Sequence, residues 1–449
     1  MAGAQTGLLK EKYRIELSDH TDRVLIAKFN YDGSKVLLVG NETTEVWSIE
    51  TGRPVCTFSN PISLLKDGDE IVWQPGGDRL LQYRPYSYSK KAVAIIWDSE
   101  SGRRLATLTE KGGVSRAQWN SDGNRILSVG FPSSLSDDAT YSVRDENGRS
   151  LRTEKFGSFD IHSVTFSNSG NKLIVSYHAR EGQKPVRIYD ADSGRLEASF
   201  EHGLVNVNPL THAIFAGESP DGKYLCGQID TSKGVVCWKS NDQSMPVYSF
   251  LDTKETGDNI FLGFSPDSKK LAILRSRQKE IDIADAATGH VQLSISGLKT
   301  VYQPSIAAAN NSWLLGFEYR DLWSPDGNEF IATDFENVVS IWNLKTNKQI
   351  SRRPAIWNSD YDWFVGTLPT DFEVFRFNKR NGLLLSVSNQ VIRICDPSNG
   401  ALLKEFSFPF NKKGENVQER YVSNWSPDGE MLLTAENDNR TVIVWTVTR

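Results

Sequence analysis

Cysteine, histidine and long apolar runs are scarce in this chain. Its 449 residues include six histidines, and no two of them have the HxxxH or HExxH spacing of a metal site. No run approaches the ~18 apolar residues that span a bilayer, and the N-terminal stretch lacks the basic-then-apolar order of a secretion signal. We therefore expect a soluble, cytoplasmic protein without a metal or a membrane contact.

The four cysteines have neither the spacing of a zinc site nor the density of a disulfide-rich secreted domain. A reducing compartment fits this usage, so we expect four buried thiols. All of them lie inside predicted strands: Cys56, Cys226, Cys237 and Cys395.

Sequence signatures of catalysis are absent too. The chain has no GxSxG nucleophile elbow, no GxxxxGK[ST] phosphate loop and no GxGxxG turn. Its net charge of −5 comes from interspersed residues, 51 Lys and Arg against 56 Asp and Glu. Because binding along a phosphate backbone requires a basic face, this balance argues against extended nucleic-acid binding. We expect a protein that is not an enzyme and holds no cofactor.

What the chain does have is a repeat. Strand-like apolar runs alternate with tight Asp/Gly turns, and the turn recurs about every fifty residues, as in β-propellers. No Pro-, Ser- or charge-rich tract interrupts the array, which predicts a single domain over 1–449. The turn position is held by Gly33, Gly77, Gly123, Gly170, Gly222, Ser268, Gly327, Gly382 and Gly429.

The first unit shows four strands, which we name a, b, c and d of one blade. The runs 23–29, 35–40, 44–49 and 53–58 are short and separated by Asp/Gly turns, as in antiparallel hairpins. Strand c has the densest apolar content in every unit, which predicts burial on both faces between neighbouring blades. The predicted fold class is all-β: a β-propeller of four-stranded antiparallel blades.

At these turns and c strands the chain resembles the WD-repeat family of propellers. SPDG turns stand at 219–222, 324–327 and 426–429, and Trp97-Asp98 is a true WD dipeptide. The resemblance implies a propeller that binds proteins. The His/Asp/Trp network of that family is mostly missing, so blade packing is expected to replace it. Other pairs stand where the dipeptide would be: Arg144-Asp145, Tyr189-Asp190, Trp238-Lys239, Trp342-Asn343 and Cys395-Asp396.

Nine c strands predict nine blades, an architecture similar to propeller subunits of translation initiation factors. The alternative is eight blades with an irregular insertion around 298–318. The last unit, 421–449, stops after its c strand, and the strand-like segment 13–17 precedes the first unit. Because an unpaired strand edge invites aggregation, we expect 13–17 to complete the last blade and close the ring.

Loop length points to a binding face. The b–c connections of blades two to four are longer than those elsewhere, and long d–a connections precede blades seven and eight. Repeat proteins place binding surfaces where such insertions accumulate, and Tyr, Trp and Arg dominate binding hot spots. These residues are the predicted partner-binding set, with anchoring of their own loops as the alternative: Arg84, Tyr86, Tyr88, Trp357, Tyr361 and Trp363.

These features predict a monomeric, non-catalytic scaffold for protein–protein interaction. One alternative is a propeller that contacts the ribosome or RNA, and another is a propeller hydrolase with residues converging in the central channel. Basic clusters at 275–279, 351–353 and 411–420 could share the insertion face, whereas 378–380 belongs to an a–b turn. The aspartates that follow strand c are predicted to cap turn amides rather than to form a catalytic ring: Asp98, Asp145, Asp190, Asp285 and Asp396.

Overall fold

A computed structural model describes most of the chain. The described residues are 7–17, 24–40, 42–59, 70–83, 92–130, 138–157, 161–177, 186–200, 213–229, 234–241, 246–251, 259–275, 278–296, 322–333, 338–354, 374–387, 391–407, 423–435 and 440–448.

Thirty-five strands account for the secondary structure of the described residues. In chain order they are β1 (Leu9–Glu16), β2 (Ile26–Phe29), β3 (Lys35–Val39), β4 (Thr43–Ser48), β5 (Arg53–Ser59), β6 (Glu70–Trp73), β7 (Arg79–Tyr83), β8 (Ala94–Asp98), β9 (Arg104–Leu108), β10 (Val114–Trp119), β11 (Arg125–Gly130), β12 (Asp138–Asp145), β13 (Ser150–Gly157), β14 (Ile161–Phe166), β15 (Lys172–Tyr177), β16 (Val186–Asp190), β17 (Leu196–Phe200), β18 (Ala213–Glu218), β19 (Tyr224–Ile229), β20 (Gly234–Lys239), β21 (Tyr248–Leu251), β22 (Asn259–Phe264), β23 (Lys270–Arg275), β24 (Glu280–Asp285), β25 (Val291–Ile295), β26 (Glu329–Thr333), β27 (Val338–Asn343), β28 (Lys348–Pro354), β29 (Val374–Phe377), β30 (Leu384–Val387), β31 (Val391–Asp396), β32 (Ala401–Ser407), β33 (Asn424–Trp425), β34 (Met431–Ala435) and β35 (Thr441–Val447).

The strands form nine antiparallel sheets in the order of a β-propeller. In eight sheets four strands are paired, and in the seventh β26, β27 and β28 are paired, with a single bridge from Trp323 to Phe330 in place of strand a. Each sheet is a meander of consecutive strands, except the ninth. The prediction of nine blades is confirmed, and the alternative of eight is wrong.

Two compact units divide the blades. The first contains Met1–Lys66, Ser99–Arg103 and Asp321–Arg449, and the second contains Asp67–Asp98 and Arg104–Arg320. Blades one, seven, eight and nine therefore belong to the first unit, and blades two to six belong to the second. The expectation of one domain over 1–449 stays a prediction.

The chain ends meet in the ninth blade, as predicted for 13–17. Strand β1 pairs antiparallel with β35, from Leu9 opposite Val447 to Glu16 opposite Thr441. Ile15 is buried in the apolar cluster that also contains Val442 and Val444. Strand β1 thus supplies the outer strand that the last sequence repeat, 421–449, lacks.

Both middle strands of a blade are buried, because apolar side chains of neighbouring blades pack together within each unit. The c strand β20 is buried over five successive residues, as predicted from its apolar run. The b strands are buried to the same extent, for example β3 and β30. The sequence pattern predicted this burial for strand c alone. Five of the nine b strands begin with Lys or Arg, which makes their apolar runs less prominent: β3, β7, β11, β15 and β23.

The a–b turns have the geometry that their glycines predict. Gly33 has φ of 75° and Ser268, the exception in sequence, has φ of 62°, so the position requires the left-handed region. In blade two the positive φ falls on Gly76 rather than Gly77, because Pro75-Gly76 forms a turn in which the residue after proline takes that conformation. In blade two the residue with positive φ is therefore one position before Gly77, the glycine that the repeat predicted.

Polar side chains join successive a–b turns within each unit. The Nε2 of Gln74 donates to the carbonyl of Gly123 at 2.7 Å, and Asn120 donates to Gly170 at 3.2 Å. In the first unit Asn378 donates to Gly429 at 2.9 Å. Blade packing therefore includes a repeated side-chain to backbone hydrogen bond that the sequence pattern did not reveal.

Two cysteines differ from the expectation of four thiols. Cys226 on β19 lies directly opposite Cys237 on β20, and a disulfide joins them. The expectation was wrong for these two because their separation of 11 residues matches no cysteine motif. The hairpin nevertheless places them opposite each other. Cys56 and Cys395 are not in a disulfide. Cys395 is a buried thiol, as predicted, whereas Cys56 is only partly buried and donates to the Ser99 carbonyl at 3.1 Å.

Candidate functional site

The six residues predicted to bind a partner lie outside the described residues. Arg84, Tyr86 and Tyr88 fall in 84–91, and Trp357, Tyr361 and Trp363 fall in 355–373. Their exposure and their placement on one face remain predictions. The structure does describe the strand ends from which these connections start.

Strand bounds confirm that the two ends of the blades differ in connection length. The a–b connections are almost constant, as in 30–34, 74–78 and 120–124. The b–c connections vary, and the long ones are 84–93 in blade two, 131–137 in blade three and 178–185 in blade four. Length variation is therefore confined to the end of these blades that carries the b–c and d–a connections.

In blade three a buried carboxylate holds the base of the 131–137 connection. The Glu110 side chain is buried and accepts hydrogen bonds from Ser128 Oγ at 2.6 Å and Thr140 Oγ1 at 2.5 Å. The Arg144 guanidinium donates to Glu110 Oε1 at 2.8 Å and to Ser128 Oγ at 2.9 Å. Ser128 and Thr140 lie on either side of the connection, so the network ties its two ends to the d–a segment.

The strand register shows that the Glu110–Arg144 network in blade three stands where blade two has a tryptophan hydrogen bond. In blade two the indole of Trp97 donates to Gln82 Oε1 at 2.9 Å. Leu80 lies opposite Trp97, and Gln82 comes two residues later on the same strand. In blade three, Ile126 lies opposite Arg144, and Ser128 likewise comes two residues later. Arg144 thus takes the place of the tryptophan, with Glu110 added as its counter-ion. The Arg144-Asp145 pair in the sequence was the available signal, but the partner was not predictable from it.

In blade four two tyrosines fix the start of the 178–185 connection. Tyr177 ends β15, and its hydroxyl lies 2.8 Å from that of Tyr189. The Arg187 guanidinium lies over the Tyr177 ring at 4.6 Å, an attractive cation–π geometry. Burial raises the pKa of Tyr177 and raises that of the nearby Tyr141 to about 12. These phenols therefore stay neutral, and the strand end is held by packing and hydrogen bonding.

Four of the five aspartates after strand c cap turns, as predicted, and for Asp98 this role stays a prediction. Asp145 Oδ1 accepts the amides of Asn147 and Arg149, and Asp285 Oδ1 accepts those of Ala287 and Thr288. Asp190 and Asp396 accept in the same way. These carboxylates are occupied by the backbone.

The basic clusters predicted to share the insertion face are described only in part. Residues 351–353 lie within strand β28, a correction to their placement in a connection, because the d strand of blade seven continues to Pro354. Arg275 pairs with the buried Asp282 at 3.3 Å, and Arg380 contacts Glu430. The cluster 411–420 lies outside the described residues. No basic surface on the insertion end follows from the described part of the chain.

Within the described ranges, no three His, Cys, Asp or Glu side chains come close enough to hold a metal ion. The same ranges contain no helix that is long and apolar enough to span a membrane. Apart from His290, the histidine side chains lie outside the part of the chain whose side chains are described.

Known proteins resemble this chain in repeat and fold. The family model described as WD domain, G-beta repeat matches residues 417–446. WD repeat-containing protein 1 of Gallus gallus is 26% identical over 202 residues, which cover 43% of this chain and 31% of that protein. Eukaryotic translation initiation factor 3 subunit I of Coccidioides immitis is 24% identical over 248 residues, 51% of this chain and 67% of that protein.

Among solved structures, a crystal structure of a eukaryotic initiation factor superposes with a TM-score of 0.57. It is 14% identical in sequence, and the match covers 86% of this chain and 89% of the other. At this identity the likeness concerns the fold alone. The chain spans about a third of the length of the Gallus gallus relative, so that protein's activity is not assigned to this chain.

Proposed function

Because the chain is a WD-repeat β-propeller, we propose that it is a non-catalytic scaffold whose partner protein binds the end of the blades that carries the b–c and d–a connections. WD-repeat propellers generally mediate protein–protein interaction. The observation that carries the proposal is that the long b–c connections of blades two to four each start from a strand with a side-chain hydrogen bond at or near its end.

Side-chain contacts at these strand ends favour a binding site on the connections that follow them. The pairs Gln82–Trp97, Glu110–Arg144 and Tyr177–Tyr189 fix the blades beneath the connections 84–93, 131–137 and 178–185. Binding next to strand ends that are already ordered costs less conformational entropy than binding next to disordered ones. Arg84, Tyr86 and Tyr88 are the contact residues that we propose in blade two, with Trp357, Tyr361 and Trp363 in the connection before blade eight.

Quantitative affinity purification from the native cell tests this assignment. The Tyr86→Ala, Tyr88→Ala double variant is compared with wild type and with Tyr31→Ala, a tyrosine that is 57% exposed at an a–b turn of blade one. We expect the double variant to lose a defined set of proteins, with a cost of ~2 kcal/mol or more in affinity, and Tyr31→Ala to retain them. Equal recovery by all three proteins would contradict the proposal.

A second candidate function is contact with the ribosome or RNA. It is favoured by the similarity to a translation initiation factor 3 subunit and by the initiation-factor fold match. Binding to RNA would weaken steeply with salt, because counterions are released from the phosphates. Cosedimentation with ribosomes that survives nuclease treatment and raised salt would indicate protein contacts; loss under both treatments would favour this second function.

A further inference from the structure

The second unit exposes its large apolar side chains along its outer strands. Within the described residues of this unit, Leu105, Leu151, Leu196 and Val247 are the large apolar side chains with high exposure, between 38% and 49%. Leu105 lies on β9, Leu151 on β13 and Leu196 on β17, and Val247 precedes β21. The four residues therefore mark the outer strands of blades two to five, which follow one another in the chain.

Bulges explain why two of these leucines face solvent. On β9 the pairs Ile96–Ala106 and Trp97–Arg104 leave Leu105 without a partner in the ladder. The register on β13 skips Leu151 in the same way. A bulge redirects a side chain and disturbs the edge for pairing with another strand. Contact at these edges is thus made by side chains rather than by an added strand.

Arginines stand beside the exposed leucines. Arg104 adjoins Leu105, and Arg149 lies two residues before Leu151; both are exposed and form no ion pair within the described ranges. Arg195, beside Leu196, is 78% exposed and lies 3.6 Å from Glu197. These side chains leave positive charge open to a partner.

The neighbouring acids already have cationic partners. Glu146 pairs with Arg79 at 3.3 Å, and Asp192 pairs with Arg125 at 2.8 Å. Glu154 pairs with Arg152, and Glu197 pairs with Lys172 at 3.1 Å. The side chains that remain available next to the leucines are therefore cationic.

We propose that these outer strands form a second docking surface, the rim surface, defined by Leu105, Leu151, Leu196 and Val247 with Arg104, Arg149 and Arg195. Its partner is an extended polypeptide segment that combines apolar and acidic side chains, since leucines bury apolar area and arginines pair with carboxylates. The leucines of blades two to four follow the c–d turns, at the opposite end of the blades from 84–93. The rim surface thus binds independently of the loops of the proposed function.

A defined peptide tests the rim surface on the full chain. The probe is a fluorescent peptide of about twelve residues with alternating Asp and Leu, which spans ~40 Å when extended; a Lys and Leu peptide and an Asp and Ser peptide are its controls. We expect anisotropy titrations to show binding of the Asp and Leu peptide alone, weakened by salt. Failure to bind, or equal binding of a control peptide, would overturn the proposal.

Matched variants locate the site. Replacing Leu105, Leu151 and Leu196 by Ser should weaken the peptide about tenfold or more, and Arg104→Glu with Arg149→Glu should do the same. Leu402→Ser is the control, because Leu402 is 50% exposed on an outer strand of the first unit. All variants should melt close to wild type, since exposed positions contribute little to stability. Equal peptide affinity for the triple variant and Leu402→Ser would exclude this surface.

Two further readouts separate the alternatives. Sedimentation of the wild type measures self-association, and a dimer that the triple Leu→Ser variant abolishes but Leu402→Ser retains would show that a second copy occupies the surface, overturning the proposal. The Tyr86→Ala, Tyr88→Ala variant should bind the peptide as wild type does. If that variant loses the peptide, the rim surface is not an independent site.

Discussion

Asp190 and Asn343 occupy the same place after strand c of their blades, and they show what that place requires. Asp190 Oδ1 accepts the Ser193 amide at 2.7 Å and its hydroxyl at 2.6 Å. Asn343 Oδ1 accepts the Thr346 amide at 2.9 Å and its hydroxyl at 3.1 Å. An oxygen acceptor, and not a charge, therefore defines the turn.

This equivalence predicts a pH effect. The Ser193 hydroxyl and its amide lower the pKa of Asp190 below 3.8, so the carboxylate stabilises the fold above that value, and this contribution is lost as pH falls through the lowered pKa. Asp190→Asn should keep the turn at neutral pH and reduce the loss of melting temperature on acidification below pH ~4. Calorimetry at several pH values measures this, and identical pH slopes for variant and wild type would refute it.

A second prediction at the residue scale concerns Gly52. Its φ is 63°, and a Cβ there would lie 2.5 Å from Tyr13 Cε1. Gly382 has φ of 71° and open space around the same position. Gly52→Ala should therefore cost the left-handed strain of ~1–2 kcal/mol together with a steric term, and Gly382→Ala the strain alone. Thermal unfolding compares them, and equal shifts would show that Tyr13 does not pack on this turn.

The Glu110–Arg144 pair is expected to be strongly coupled. Removing one partner leaves a buried charge, so Glu110→Ala or Arg144→Ala should each destabilise the protein by ~3–5 kcal/mol. The double variant should cost less than the sum of the two. Glu405→Ala, which breaks the exposed pair with Arg393, should cost below ~1 kcal/mol. Additive losses in denaturant unfolding would contradict the network.

At the scale of the element, the outer ladder of most blades contains a bulge. The c–d register shifts in blades one to four and six to eight, and the β1–β35 ladder shifts between Glu11 and Tyr13. Irregular edges resist pairing with other chains. The recurring bulge thus protects the strands that each blade leaves uncovered.

Strand β1 protects the ninth blade in another way, by covering β35. Deleting residues 1–20 should lower the melting temperature and promote association, because it exposes the edge of β35 and removes the buried Ile15. Deleting 1–6 leaves β1 intact and should change neither. Light scattering during thermal unfolding measures both effects, and a 1–20 deletion that melts like the full chain would contradict the pairing.

Local sequence patterns predicted most strands and turns. They did not predict which side chains meet across a hairpin or between blades. Alternating apolar runs and the turn at Gly33 fixed blade one closely, since hairpins are encoded by adjacent residues. The Cys226–Cys237 pair and the Glu110–Arg144 network depend on register and on a neighbouring blade, which spacing does not encode. Loop length is the sequence feature behind the proposed binding end, but the contacts of Tyr86 or Trp363 depend on the conformation of the connection itself.

At the scale of the whole molecule, surfaces that join blades differ from surfaces that we propose to bind partners. Constant a–b turns and bonded side chains such as Asn120 and Asn378 join the blades within each unit. Connections of variable length carry the proposed partner site, and the outer strands of the second unit carry the rim surface. Function is therefore expected to change when connections change, while the blades beneath them stay the same.

Cross-linking mass spectrometry of the chain with its captured partner tests the central proposal most directly. Lysines mark both ends of the blades: Lys90 and Lys91 lie in the 84–93 connection, and Lys223, Lys269 and Lys379 lie in a–b turns. The account predicts partner cross-links at Lys90 and Lys91 that disappear in the Tyr86→Ala, Tyr88→Ala variant. Partner cross-links confined to Lys223, Lys269 and Lys379 would contradict it.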